Sequence, residues 1–146
     1  MVHIVIDLTR LLLEARRAMA DELAAELTER GYDDLRPGHA AVFLAIDRRI
    51  GSRLVDMAAE ARVTKQAMMA SIDELELRGY VRRVADPSDT RAKLVRLTAK
   101  GRTAAAQCRR AVTAVDQQAR RRLGDRVYDT VVDGLYELAE PAEDGS

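Results

Sequence analysis

The sequence has no tryptophan, one phenylalanine, three prolines and one cysteine. With Cys108 alone, no intramolecular disulfide can form, which predicts a reducing compartment, the cytoplasm. Two histidines, His3 and His39, with that one cysteine are too few for a zinc cluster, and no metal or cofactor is expected. The longest unbroken apolar run, residues 40–46, is far short of the ~20 residues a membrane helix needs. The opening MVHIVIDLTRLLL has no basic start, and Asp7 and Arg10 break its apolar stretch, so it reads as mature protein rather than a leader. No nucleophile–base pair, glycine-rich phosphate loop or carboxylate dyad stands out, so no enzyme is expected. Net charge is missing too: 24 Lys and Arg stand against 24 Asp and Glu.

What is there is a 146-residue chain, 47% hydrophobic and 33% charged, the balance of a single folded soluble domain with a core of its own. Mapped along the chain, the charge is polarised. Residues 48–110 hold 15 Lys and Arg against 7 Asp and Glu, a net of +8, and the flanks carry −8. A basic middle between acidic ends is where a polyanion would dock; the alternative is a solvated face with scattered charge.

Residues 4 to about 30 predict an amphipathic helix: Ile4, Leu8, Leu11, Leu12, Ala15, Met19, Leu23 and Leu27 recur at three- and four-residue steps, and Gly31 closes it. Pro37 suits a first helical turn and opens a second helix to about Arg49, with Val42, Phe43 and Ile46 on its apolar face. Residues 52–54 read as a stub of strand, and residues 55–61 as a short helix with Met57 and Ala58 inward. Thr64 fits the N-cap of a helix from Lys65 to Arg78, with Met68, Ile72 and Leu75 toward the core and Gly79 at its end. Alternating β-branched and polar residues at 80–84 and 92–97 bracket a turn-rich tip, residues 85–91, and predict a β-hairpin. A long helix then begins near Ala99, its stripe Ala105, Cys108, Val112, Val115, Ala119 and Leu123 close to a heptad seam. A last helix over residues 125–139 is expected to bury Tyr128, Val131, Val132, Leu135 and Leu138, and the polar tail from Pro141 to fray. The fold class is mainly α with a small β-hairpin wing, a winged helix-turn-helix.

On the helix from Lys65, the side opposite Met68, Ile72 and Leu75 shows Lys65, Gln66, Met69, Ala70 and Asp73. Such a row fits a major groove: Lys65 can donate to guanine O6 and N7, Gln66 can pair bidentately with adenine, and Met69 and Ala70 can press on a thymine methyl. Met69 packed under the wing is the alternative. Arg82, Arg83, Arg91, Lys93 and Arg96 make the hairpin a basic ribbon, either solvated or in contact with phosphate. At its tip Arg91 can reach a minor groove, with Asp89 holding its guanidinium. The start of the short helix near Arg53–Val55, through its free backbone N–H groups, offers a further phosphate anchor.

Four segments carry a resemblance: Val63-Thr64-Lys65-Gln66-Ala67-Met68, Leu75-Glu76-Leu77-Arg78-Gly79-Tyr80-Val81, Asp86-Pro87-Ser88-Asp89-Thr90-Arg91 and Val95-Arg96-Leu97-Thr98-Ala99-Lys100-Gly101. Residues 35–102 resemble the MarR family of bacterial transcriptional regulators, the Asp89-x-Arg91 wing followed by Leu97-Thr98 and Gly101 being the most specific part. The resemblance implies one domain over residues 1–146. Its winged-helix lobe would span about residues 36–100, and helices at about 4–30 and 101–140 would interdigitate in a homodimer. It implies double-stranded DNA as partner, one recognition helix per major groove and one wing per flanking minor groove, and a pocket where a small anionic or phenolic effector or an oxidant alters DNA affinity. Thr90 stands where many relatives have a third basic residue, and the first helix lacks the cysteine of peroxide-sensing relatives.

His39, near the start of the second helix, is a candidate for that pocket or a plain packing or capping residue. Cys108 reads as a small buried hydrophobe, with redox sensing through its thiol the alternative. Arg120, Arg121 and Arg122 are expected to pair with Asp125 and Asp129, a second basic patch being the alternative. Together these readings predict a dimeric DNA-binding repressor, with a ligand-binding or protein-interaction module on the same scaffold as the second possibility.

Overall fold

A computed structural model describes residues 5–140; Ile4 and the tail from Pro141 lie outside the described residues. The chain folds as α1 (Leu8–Glu29), α2 (Pro37–Ala45), α3 (Leu54–Ala61), α4 (Lys65–Leu77), β1 (Val81–Asp86), β2 (Asp89–Leu97), α5 (Ala99–Leu123) and α6 (Asp125–Ala139). Asp7 caps α1 through a bond from the Arg10 N–H, and Pro37 opens α2. At Gly79, φ of +80° lets the Tyr80 N–H return to the Leu75 carbonyl, closing α4 and turning the chain into the wing.

One core joins the winged-helix lobe to α1 and α5. Phe43, Leu27, Met57, Met68, Ile72, Leu75, Val81 and Cys108 are fully buried, and Phe43 meets Tyr80 edge-to-face at 6.0 Å. The expected inward residues of α3 and α4 are the ones buried. At Gly101, α5 passes so close to the Tyr80 carbonyl that a Cβ would overlap it.

Several boundaries differ from the sequence reading. The second helix stops at Ala45 rather than near Arg49, because the Asp47 carboxylate accepts from the N–H groups of Arg49 and Ile50 and makes a separate turn. The third begins one residue early, at Leu54. The hairpin pairs from Val81↔Leu97 to Asp86↔Asp89, so its tip is Pro87-Ser88 rather than residues 85–91. The stub of strand is a single bridge from Ser52 to Val95.

The ends of the long helices also differ. No α6 residue is buried: Val131, Leu135 and Leu138 are exposed, and Tyr128 and Val132 are half-covered. Leu123 is likewise exposed, and so are Leu8, Leu11, Leu12 and Leu13 of α1. These residues keep their helical spacing, but among the described residues of a single chain nothing covers them. Arg120 pairs with Asp125 and Asp129 as expected, whereas Arg122 reaches Glu22 of α1.

Candidate nucleic-acid interface

α3 and α4 are joined by a short turn in which Arg62 takes the left-handed conformation (φ +53°) without being glycine. Thr64 then caps α4, its hydroxyl accepting the Ala67 N–H at 3.0 Å. With Met68, Ile72 and Leu75 in the core, Lys65, Gln66, Met69, Ala70 and Asp73 all face solvent. Met69 is 46% exposed, so it does not pack under the wing.

The wing lies beside this row. Successive strand residues point to opposite faces, and Arg82 and Arg83 divide accordingly. Arg82 is exposed and opposite Arg96, a like-charged pair that is unfavourable unless an anion relieves it. Arg91 and Lys93 are exposed as well, and among the described residues Arg82, Arg91 and Lys93 make no ion pair. Arg96 donates to the Arg49 carbonyl at 3.2 Å.

Two expectations need correction. Arg83 does not project toward a phosphate: its guanidinium lies 2.6 Å from Asp73 and 2.7 Å from Glu76, tying the base of the wing to α4. Asp89 accepts the backbone N–H of Arg91 at 3.0 Å rather than its guanidinium, so it shapes the turn and leaves the Arg91 side chain exposed. Arg53 is the N-cap residue of α3, where no side chain caps the first turn, and its guanidinium pairs with Asp86 at 2.6 Å.

Asp86 was missed, although its position at the start of an Asp-Pro-Ser turn marks it as a side chain that bonds its own backbone. It is nearly buried, and Ser88 bonds through both hydroxyl and backbone N–H, with Arg53 beside them, hold its carboxyl down at about 2.

His39 does not line the cleft next to it between α1, α2 and α4. It is buried; its Nδ1 accepts the Arg36 N–H at 3.0 Å, which leaves the proton on Nε2 to donate to Glu74 at 2.6 Å. That bond holds the Glu74 carboxyl below its ordinary value and ties α2 to α4. The neighbouring residues do border a cleft of about 230 Å³, where Arg16 and Ala20 of α1 and Pro37 and Ala41 of α2 meet Ala67 and Ser71 of α4. Cys108 is wholly buried, and burial pushes its thiol up to about 11, the reverse of an activated thiolate. No helix among the described residues is long and apolar enough to cross a membrane.

Residues 33–92 match the family model described as MarR family. No curated protein matches the chain. Solved structures do. The transcriptional repressor CouR bound to a 23-mer DNA duplex superposes with a TM-score of 0.79 at 24% identity, over 92% of this chain and 93% of that one. CouR from Rhodococcus jostii RHA1 bound to p-coumaroyl-CoA gives 0.76 at 26%, over 95% and 96%. Wild-type MarR from E. coli in its apo form gives 0.71 at 23%, over 94% and 100%.

Proposed function

We propose that this chain, a winged helix-turn-helix protein of the MarR family, is a sequence-specific transcriptional repressor that binds a pseudo-palindromic operator as a homodimer in the cytoplasm. What carries the proposal is the solvent-facing row Lys65, Gln66, Met69 and Ala70 on α4, flanked by Arg82, Arg91 and Lys93 with no carboxylate on them. Lys65 reads guanine and Gln66 adenine, while Met69 and Ala70 meet thymine methyls. Arg91 enters the flanking minor groove, and Arg82 and Lys93 take phosphates. A second copy covers the exposed apolar residues of α1 and α6, so that two recognition helices sit about one helical turn (~10 bp) apart. The complexes of CouR with duplex DNA and with p-coumaroyl-CoA support a ligand-responsive DNA binder on this fold. Here the effector is a small anion or phenol in the cleft between α1, α2 and α4, with Arg16 as its cation; because Ala67 and Ser71 of α4 line that cleft, occupancy shifts the reading helix.

Gel shifts on the chain's own promoter region at two salt concentrations test the proposal. A retarded complex that weakens with salt is expected. Gln66→Ala should relax base preference at one symmetric position, at a cost of about 1–3 kcal/mol. No complex at low salt would leave a ligand-binding or protein-interaction module on the same scaffold.

A further inference from the structure

The hairpin is anchored at its base, where Arg96 donates to the Arg49 carbonyl at 3.2 Å. Ser52 and Val95 exchange backbone hydrogen bonds of 3.0 and 2.8 Å, and Arg83 grips Asp73 and Glu76 of α4. Beyond Val95 the wing is two strands with a ladder only to each other, a unit of marginal stability on its own. Within residues 84–94, the described hydrogen bonds reach the helices at one place, the Arg53–Asp86 pair. Arg53 Nε and Nη2 both meet Asp86 Oδ2, at 2.8 and 2.6 Å, while Oδ1 takes the Ser88 N–H at 2.9 Å and the Ser88 hydroxyl at 2.7 Å. One carboxylate therefore shapes the wing turn with one oxygen and binds the first residue before α3 with the other. It lies five residues before Arg91.

We infer that the Arg53–Asp86 pair is a positioning strut that sets the distance from the helix-turn-helix to the wing tip, and thereby the offset between major-groove and minor-groove contacts. The inference rests on the DNA-binding proposal for its consequence, but not for the strut itself. Neither residue reads a base. A guanidinium fork on a nearly buried carboxylate fixes direction as well as distance, which an ammonium cannot do.

The strut is measurable without DNA. Spin labels at Thr90→Cys and Ala59→Cys, in a Cys108→Ala background diluted with unlabelled protein, report the tip-to-α3 distance. The wild-type pair should give a narrow distribution. Asp86→Asn and Arg53→Gln should broaden it alike, the double variant no further than either, and Arg53→Lys should fall between. Unchanged widths, or broadening that adds in the double variant, would overturn the inference. On an operator that wild type binds, Asp86→Asn should weaken affinity by roughly tenfold, as for one lost charge-assisted pair. It should erase minor-groove protection at the flanks and leave the preference read by Gln66 in place. Equal loss in both grooves would mark a merely structural role. Failure of wild type to bind any duplex would instead remove the DNA-binding proposal, and the distance distributions would still decide the strut.

Discussion

Replacing Arg83 with methionine separates two roles that a wing arginine can have. Its guanidinium bridges Asp73 and Glu76, with the Arg83 side chain 24% exposed and the two carboxylates at 60% and 40%. Pairs this open to water contribute about 0.2–1 kcal/mol each, so both together are worth about 0.5–2 kcal/mol. For a chain of this size such a loss lowers Tm by roughly 1–8 °C. The larger effect falls on DNA, because the variant leaves two uncompensated carboxylates beside the row proposed to meet the duplex. Affinity for specific and random sequences should drop together, and adding Asp73→Asn should restore part of it. The slope of log Kd against log salt should stay as in wild type, since no phosphate contact is lost. Had Arg83 touched phosphate, a dimer would lose two contacts and the slope would fall by roughly 1.8. Salt titrations of wild type and Arg83→Met decide the matter. A fallen slope with unchanged Tm would refute the bridging role.

Two further perturbations test the frame behind the site. Gly101→Ala adds a methyl against the Tyr80 carbonyl, which cannot move because Thr98 is bonded to it; despite alanine's better helix propensity, the urea midpoint should fall by an amount equivalent to about 1–3 kcal/mol. An unchanged or raised midpoint would contradict that close approach. The Asp86 carboxyl, held down at about 2 from an ordinary 3.8, adds stability that is fully present above the ordinary value and disappears as pH falls through the lower one. Urea midpoints measured from pH 5 to pH 2 should therefore fall more steeply for wild type than for Asp86→Asn. Parallel curves would show that the bonds from Ser88 and Arg53 do not stabilise the fold.

Much of this was legible in the sequence because the relevant signals are local. Helical spacing exposed the inward trio of α4, the Thr64 hydroxyl announced a cap, and Pro37 and Gly79 marked the points where α2 begins and α4 ends. The same locality explains the boundary errors. Asp47 draws the chain into its own turn, a competition that apolar periodicity does not register. The long helices were recognised as amphipathic, but an apolar face does not say what covers it, and in one chain Leu135 stays 42% exposed.

Arginine partners were the least legible part of the site. Arg82 and Arg83 are the same residue type one position apart, yet one meets solvent and the other two carboxylates. Strand alternation predicts that they part, and the three-residue spacing of Asp73 and Glu76 puts both acids on one side of α4. Which arginine faces that side depends on how the hairpin docks, a tertiary fact. Arg53 and Asp86 are 33 residues apart and meet for the same reason.

The central claim is that two copies present matched prongs to one duplex, and hydroxyl-radical footprinting of wild type on fragments selected from genomic DNA tests it most directly. The prediction is a two-fold symmetric pattern: two protected blocks about one helical turn (~10 bp) apart, each flanked by a protected minor groove. A single asymmetric block, or uniform protection that tracks no sequence, would contradict it.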